Sequence, residues 1–308
     1  MRRAAPAALA VLALVLAGCG LGAGEGTSGA RLTVTADFGA RPVKALERPQ
    51  AHGEDTVMRL LQRNAEVATR FGGGFVQRID GLAGGRRDGR PIDWFYYVNG
   101  IEADEGAAAT KVHDGDAVWW DRHDWGVTPD VKAVVGSFPE PFRHGVDGRR
   151  LPVRVECVQP RSAPCDRVTS QLTGREIPAA RGIVRGPRSE ETLRIVVGPW
   201  PQIRGDEALG LLERGPRASG VYATITPDGR RITGLDERGR QARTFGPGTG
   251  LVAATRFGDE QPVWVVTGTD AAGVAAAARG FDEGTLEDRF ALVVSDDLPV
   301  GLPVGRTR

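Results

Sequence analysis

Histidine, cysteine, lysine and methionine are scarce in this chain of 308 residues, with 4, 3, 3 and 2 of them. Each shortage removes a class of chemistry. His52, His113, His123 and His144 form no HxH or HExxH spacing, so they supply no ready metal pair. No CxxC motif is present for redox or zinc work. A G-x-S-x-G nucleophile elbow is missing too. Carboxylates are plentiful, yet no spacing selects a pair for acid–base catalysis. The chain is therefore expected to be non-enzymatic, with a hydrolase of unrecognised type in residues 151–308 as the alternative left open.

Neither sign of charge dominates. Forty Lys and Arg face 39 Asp and Glu, which gives no electrostatic reason to expect a nucleic-acid partner. Nor does any apolar run reach the roughly 20 residues that span a bilayer. What is abundant is glycine (43) and proline (20), which favours short strands and many turns.

The longest apolar run, over 4–17, follows Arg2 and Arg3 and has the length of a secretory h-region. It ends in Leu16-Ala17-Gly18-Cys19, which resembles the bacterial lipobox. That resemblance implies cleavage before Cys19, lipid attachment to its thiol, and export to the cell envelope with a membrane-held N-terminus. Residues 1–18 are then a signal peptide and 19–30 a glycine-rich tether. Loss of Arg2 and Arg3 leaves 38 basic against 39 acidic residues, so the mature chain is not a basic membrane-binding protein overall. Cys157 and Cys165 remain as an even pair, expected to form a local disulfide in an oxidising compartment.

Residues 31–126 read as one domain. Period-two alternation predicts a strand over 31–38, and 42–47, 75–79, 94–98 and 117–120 read as further strands. Glu54-Asp55-Thr56 offers caps for a helix whose apolar face is Val57, Leu60, Leu61, Asn64 and Ala68. Asn99-Gly100 and Asp114-Gly115-Asp116 are turn signals. Two strands, a helix and three strands is the order of a β-grasp domain.

These residues also resemble a known family. Leu60-Leu61, Gly73-Gly74-Phe75-Val76, Trp94-Phe95-Tyr96-Tyr97-Val98-Asn99-Gly100 and Asp114-Gly115-Asp116-x-Val118-x-Trp120 look like DUF4430, a domain similar to the C-terminal β-domain of transcobalamin and intrinsic factor. The resemblance implies a β-grasp fold and a small ligand, a corrinoid or a similarly large molecule. In those carriers the vitamin lies between this domain and a helical barrel, and no helical barrel is visible here. The candidate ligand surface is Trp94, Tyr96, Tyr97, Asn99, Trp119, Trp120 and Trp125. Trp94, Tyr96 and Val98 must face one way and Phe95 and Tyr97 the other. One set covers the helix; the other is either a second buried face or an open platform. The competing expectation is a structural or protein-interaction module of the envelope, with this face closed by the rest of the chain. Asp121, His123 and Asp124 follow the last predicted strand with no metal-ligand spacing.

Pro129, Pro139 and Pro141 mark 127–150 as a linker or extended entry. Residues 151–308 read as a mixed α/β sandwich, the whole chain being α+β. Three strand-then-helix units are expected: 151–158 with 166–172, 192–197 with 206–214, and 263–267 with 270–279. A closing strand spans 290–294. An antiparallel stretch over 221–235 lies between the second and third. Thr269 or Asp270 is expected to cap the last helix, and 246–250 to be a flexible connection.

Overall fold

The structure, a computed structural model, describes residues 29–305 apart from 54 and 188. The lipobox, Cys19 and most of the tether lie outside the described residues. The chain is α+β, with seven helices and four sheets among the described residues.

The first unit runs through β1 (Arg31–Ala36), β2 (Arg41–Leu46), α1 (Val57–Asn64), β3 (Val67–Arg70), β4 (Phe75–Ile79), β5 (Leu82–Ala83), β6 (Gly85–Arg87), β7 (Arg90–Val98), β8 (Ile101–Glu102) and β9 (Ala117–Asp124). Its main sheet has the order β2-β1-β9-β7-β6, with β8 on β7; β1 and β9 are parallel and the other pairs antiparallel. A smaller sheet pairs β3, β4 and β5. Thr56 caps α1 by accepting from Arg59 N, and Val57, Met58, Leu60 and Leu61 point inward. Leu32, Val34, Trp94, Val118 and Trp120 meet them in one core. Two expectations need correction. Ala68 lies in β3 rather than on the helix, which ends at Asn64. The strand after Asp116 runs on through Asp124, so Asp121, His123 and Asp124 lie within it, all buried.

The second unit contains β10 (Val153–Cys157), α2 (Ala163–Thr173), β11 (Ala179–Ile183), β12 (Leu193–Val197), the short helices α3 (Trp200–Ile203), α4 (Glu207–Gly210) and α5 (Pro216–Ser219), then β13 (Ala223–Ile225), β14 (Ile232–Leu235), β15 (Gln241–Phe245), β16 (Gly250–Thr255), β17 (Val263–Gly268), α6 (Ala271–Gly280), α7 (Glu283–Leu286), β18 (Ala291–Ser295) and β19 (Leu298–Leu302). Seven strands form one sheet in the order β11-β10-β12-β17-β16-β18-β19, parallel through β17 and antiparallel beyond it. Helices α2 and α6 share one core with Val153, Val155, Cys157 and Ile195. The single helix expected over 206–214 is divided into α4 and a 3₁₀ turn over Leu211–Arg214, which Gly215 ends at φ 76°. Asp270 caps α6 by accepting from Gly273 N. Gly248 N donates to Asp270 Oδ2 (2.8 Å) and Thr249 N to Thr269 Oγ1 (3.1 Å), so 246–250 is bound to the start of α6 rather than free. Cys157 and Cys165 form a disulfide with Cα atoms 6.1 Å apart, and both are buried.

Residues 127–150 are not a solvated linker. Val131, Ala133, Val134, Val135, Phe138 and Phe142 are buried. Val134 N donates to Gly100 O (2.9 Å) and Val135 N to Phe290 O (3.3 Å), so the segment is stitched to both units.

Candidate functional site

Each strand of the first unit sends alternate side chains to opposite faces. Trp94 and Trp120 point at α1, with Tyr96 and Val98 packed at the edge of that core. Phe95, Tyr97 and Trp119 point the other way and join a core that draws Trp200, Tyr222, Leu251 and Phe290 from the second unit. Of the seven candidate ligand residues, Trp94, Tyr97, Asn99, Trp119 and Trp120 are buried and Tyr96 is half-buried; Trp125 keeps 36% exposure. They form no open platform.

The centre of this junction is one ring. Phe290, in the approach to β18, sits 5.2 Å from Phe38, 5.6 Å from Tyr97, 5.2 Å from Trp119 and 5.4 Å from His123, edge-on to all four. His123 stacks between Phe38 (4.6 Å) and Phe95 (4.5 Å). Aromatic pairs at such distances contribute about 0.5–1.5 kcal/mol each beyond their buried area.

Beneath the rings lies a buried polar network centred on Asp121. Its carboxylate accepts from Thr35 Oγ1 (2.5 Å), Phe38 N (3.1 Å) and Gly39 N (2.9 Å), and His123 Nδ1 lies 2.8 Å away. Trp119 Nε1 donates to Thr35 Oγ1 (2.7 Å). The arrangement satisfies a buried charge and fixes the 37–39 turn against the sheet. A His–Asp–Thr string could relay a proton only if a substrate reached it, and the rings cover it.

Asn99 is equally structural. With Gly100 it makes the tight turn between β7 and β8, at φ 54° and 76°. Its side chain donates to Asp116 Oδ1 (2.8 Å) and Gly145 O (3.0 Å) and accepts from Ala117 N (2.9 Å). Burial raises the pKa of the Asp116 carboxyl despite the hydrogen bonds it accepts from His113 N (2.8 Å) and Asn99.

Three clefts open along the seam, one of about 450 Å³ between Thr33, Trp119 and Glu283, and the other two bear on the site. The larger, of about 750 Å³, is lined by the 37–40 turn, Arg87, residues 236–238, 287–289 and the end of β19. Arg87 bridges the units there, 2.8 Å from Asp37 and 3.2 Å from Glu237. Asp288 is pushed up to about 6 by burial, with the charges of Glu287 and Asp121 adding to it. Arg289 is lowered by burial, and its Nη1 has no hydrogen-bond partner among the described residues. The second cleft, of about 660 Å³, lies between the 98–113 region and residues 256–262. Glu102 lines it and is pushed up to about 7; burial dominates over Lys132, whose ammonium is 3.8 Å away. No group of three His, Cys, Asp or Glu among the described residues could hold a metal ion.

Phe38, Phe95, His123, Asp121 and Phe290 were not singled out by sequence reasoning as a site. A signal existed for part of the set: carrying the period of 117–120 forward puts Asp121 and His123 on the face of Trp119. For Phe290 no local signal exists.

A family model for a domain of unknown function, DUF4430, matches residues 54–124. That segment holds α1 and β3 to β9 but neither β1 nor β2. No curated protein matches the chain. Among solved structures, it is similar to the crystal structure of "a putative metal binding protein" from Ruminococcus gnavus. Identity there is 17%, over 32% of this chain and 97% of that chain, with a TM-score of 0.25, a likeness that carries no argument.

Proposed function

We propose that this chain is a lipid-anchored, non-enzymatic envelope protein whose first unit is a β-grasp-like structural and interaction module joined to the second unit through its aromatic face. One observation carries the reading: Tyr97 and Trp119 are buried under Phe290, where an aromatic ligand platform would need them open. The polar groups beside them are already spent, Asn99 on the Asp116 turn and Asp121 on backbone amides.

The β-grasp reading is supported by the order of strands and helix and by the parallel β1–β9 pair at the sheet centre. The anchor reading is supported by Leu16-Ala17-Gly18-Cys19 behind a basic start and a fourteen-residue apolar run. No helix among the described residues is long and apolar enough to cross a membrane.

Equilibrium titration of the chain from residue 29 with cobalamin and related corrinoids tests the first part. Absence of saturable binding at micromolar concentration is expected; saturable binding would overturn it. Fractionation of Cys19→Ser tests the second. Release from the membrane fraction in a high-salt wash is expected, and retention through that wash would overturn the anchor.

A further inference from the structure

We propose that the β3–β4 hairpin tip, centred on Phe71, inserts into an anionic membrane surface. Phe71 is 86% exposed, the most exposed large hydrophobic side chain among the described residues. Its only ring neighbour among them is Phe75, 6.2 Å away. The turn runs through left-handed backbone at Phe71, Gly72 and Gly73 (φ 52°, 70° and 96°), a conformation bulky residues adopt rarely. A Cβ added at Gly72 or Gly73 would meet nothing within 4 Å, so the rest of the molecule leaves the tip clear.

The flanks are basic. Arg70 pairs in register with Phe75, and Arg78 follows on β4. Both are exposed, and neither makes an ion pair with any described residue. Between residues 67 and 79 the sequence has these two arginines and no acid. Glu66 and Asp80 stand at the base, and Asp80 is neutralised by Lys44 at 2.8 Å.

The shape decides the occupant. A single ring on a four-residue tip presents far less than the roughly 800 Å² per partner that a stable protein interface buries. A bilayer interface, by contrast, accepts an isolated aromatic flanked by arginines: the ring enters the headgroup boundary and the guanidinium groups meet lipid phosphates. The inference rests on the anchor reading for proximity. Ten peptide steps from Cys19 to Gly29 reach at most about 35 Å, which keeps the first unit beside the bilayer.

The test uses the unacylated chain from residue 29, which contains all three hydrophobic cores. Flotation with phosphatidylcholine vesicles is compared with flotation with vesicles that also contain phosphatidylglycerol. Binding to the anionic vesicles is expected, falling as salt rises. Phe71→Ala should weaken it about tenfold. Arg70→Gln and Arg78→Gln should each weaken it about fivefold. Phe71→Trp should retain binding, and the fluorescence it adds should be quenched by brominated lipid. Circular dichroism should be the same for every variant, since the tip packs on nothing else.

No binding, binding unchanged by Phe71→Ala, or no quenching of the fluorescence added by Phe71→Trp would each overturn the proposal. So would self-association of the chain that Phe71→Ala abolishes, because the occupant would then be a second copy. Cys19 is absent from this test, so its failure leaves the acyl anchor standing, and failure of Cys19→Ser to release the full chain leaves the hairpin standing.

Discussion

Phe290 stands edge-on to Trp119, with ring centroids 5.2 Å apart and planes 75° apart, and this pair spans the seam between the two units. It explains why an aromatic-rich strand set offers no open face. The aromatic side chains form a shared core.

Phe290→Ala should therefore cost about 3–5 kcal/mol, the usual range for emptying a buried ring site. Urea denaturation checks the size, and loss of near-ultraviolet dichroism checks that the aromatic packing goes with it. A loss under about 1 kcal/mol would place the ring among ordinary surface contacts.

Two glycines hold close backbone approaches. A Cβ on Gly39 would fall 1.7 Å from Asp288 O, and on Gly100 2.9 Å from Val134 O, both at left-handed φ. Gly39→Ala should loosen the contact between the units while α1 and its core persist. Gly100→Val should damage the β7–β8 turn and the 127–150 segment together. Hydrogen exchange, resolved by peptide, would separate the two patterns; protection equal to wild type at 287–290 or at 131–135 would refute the respective assignment.

Stability should fall as pH rises through the mildly acidic range. Burial makes both Glu102 and Asp288 easier to protonate in the folded chain than in the unfolded one. Their contribution is fully present below the unfolded values and is lost through 3.8 to about 6 for Asp288 and 4.5 to about 7 for Glu102. For Glu102 the shift corresponds to about 3 kcal/mol at most. Glu102→Gln should flatten the upper part of the stability–pH curve and Asp288→Asn the lower part, as read by denaturation midpoints. An unchanged slope in Glu102→Gln would exclude this carboxyl as the source.

The Cys157–Cys165 bridge closes a short loop between β10 and α2, with both cysteines buried. Replacing both by serine should cost about 2–3 kcal/mol. Under native conditions, reductant followed by an alkylating reagent should label neither thiol, while the unfolded chain labels at both. Rapid native labelling would show that the bridge is accessible rather than structural.

Much of the first unit was legible because its signals are local: alternation marks β1, an aromatic run marks β7, Thr56 marks the helix start, and Asn99-Gly100 marks a turn. The parallel pairing of β1 with β9 joins residues more than eighty positions apart, and no local pattern encodes it. Strand β16 was missed because Gly250–Thr255 is buried on both faces, so small and aliphatic side chains follow one another without alternation. The prolines of 127–150 read as a linker and outweighed the apolar residues Val131, Val134, Val135 and Phe138 between them. Phe290 looked like the first residue of an ordinary strand. Its role depends on where the two units dock, which one stretch of sequence does not carry.

The parallel β1–β9 pair bears on how this module is handled outside its parent chain. The segment matched by sequence similarity starts at residue 54, so a fragment excised on those limits would lose the strand hydrogen-bonded to β9 and leave an unpaired edge. Extending it back to residue 31 restores the edge but strips away Phe290 and the buried 131–138 stretch, leaving Phe38, Tyr97 and Trp119 facing water. Such a piece would be sticky rather than autonomous, and material suited to binding assays has to retain both halves.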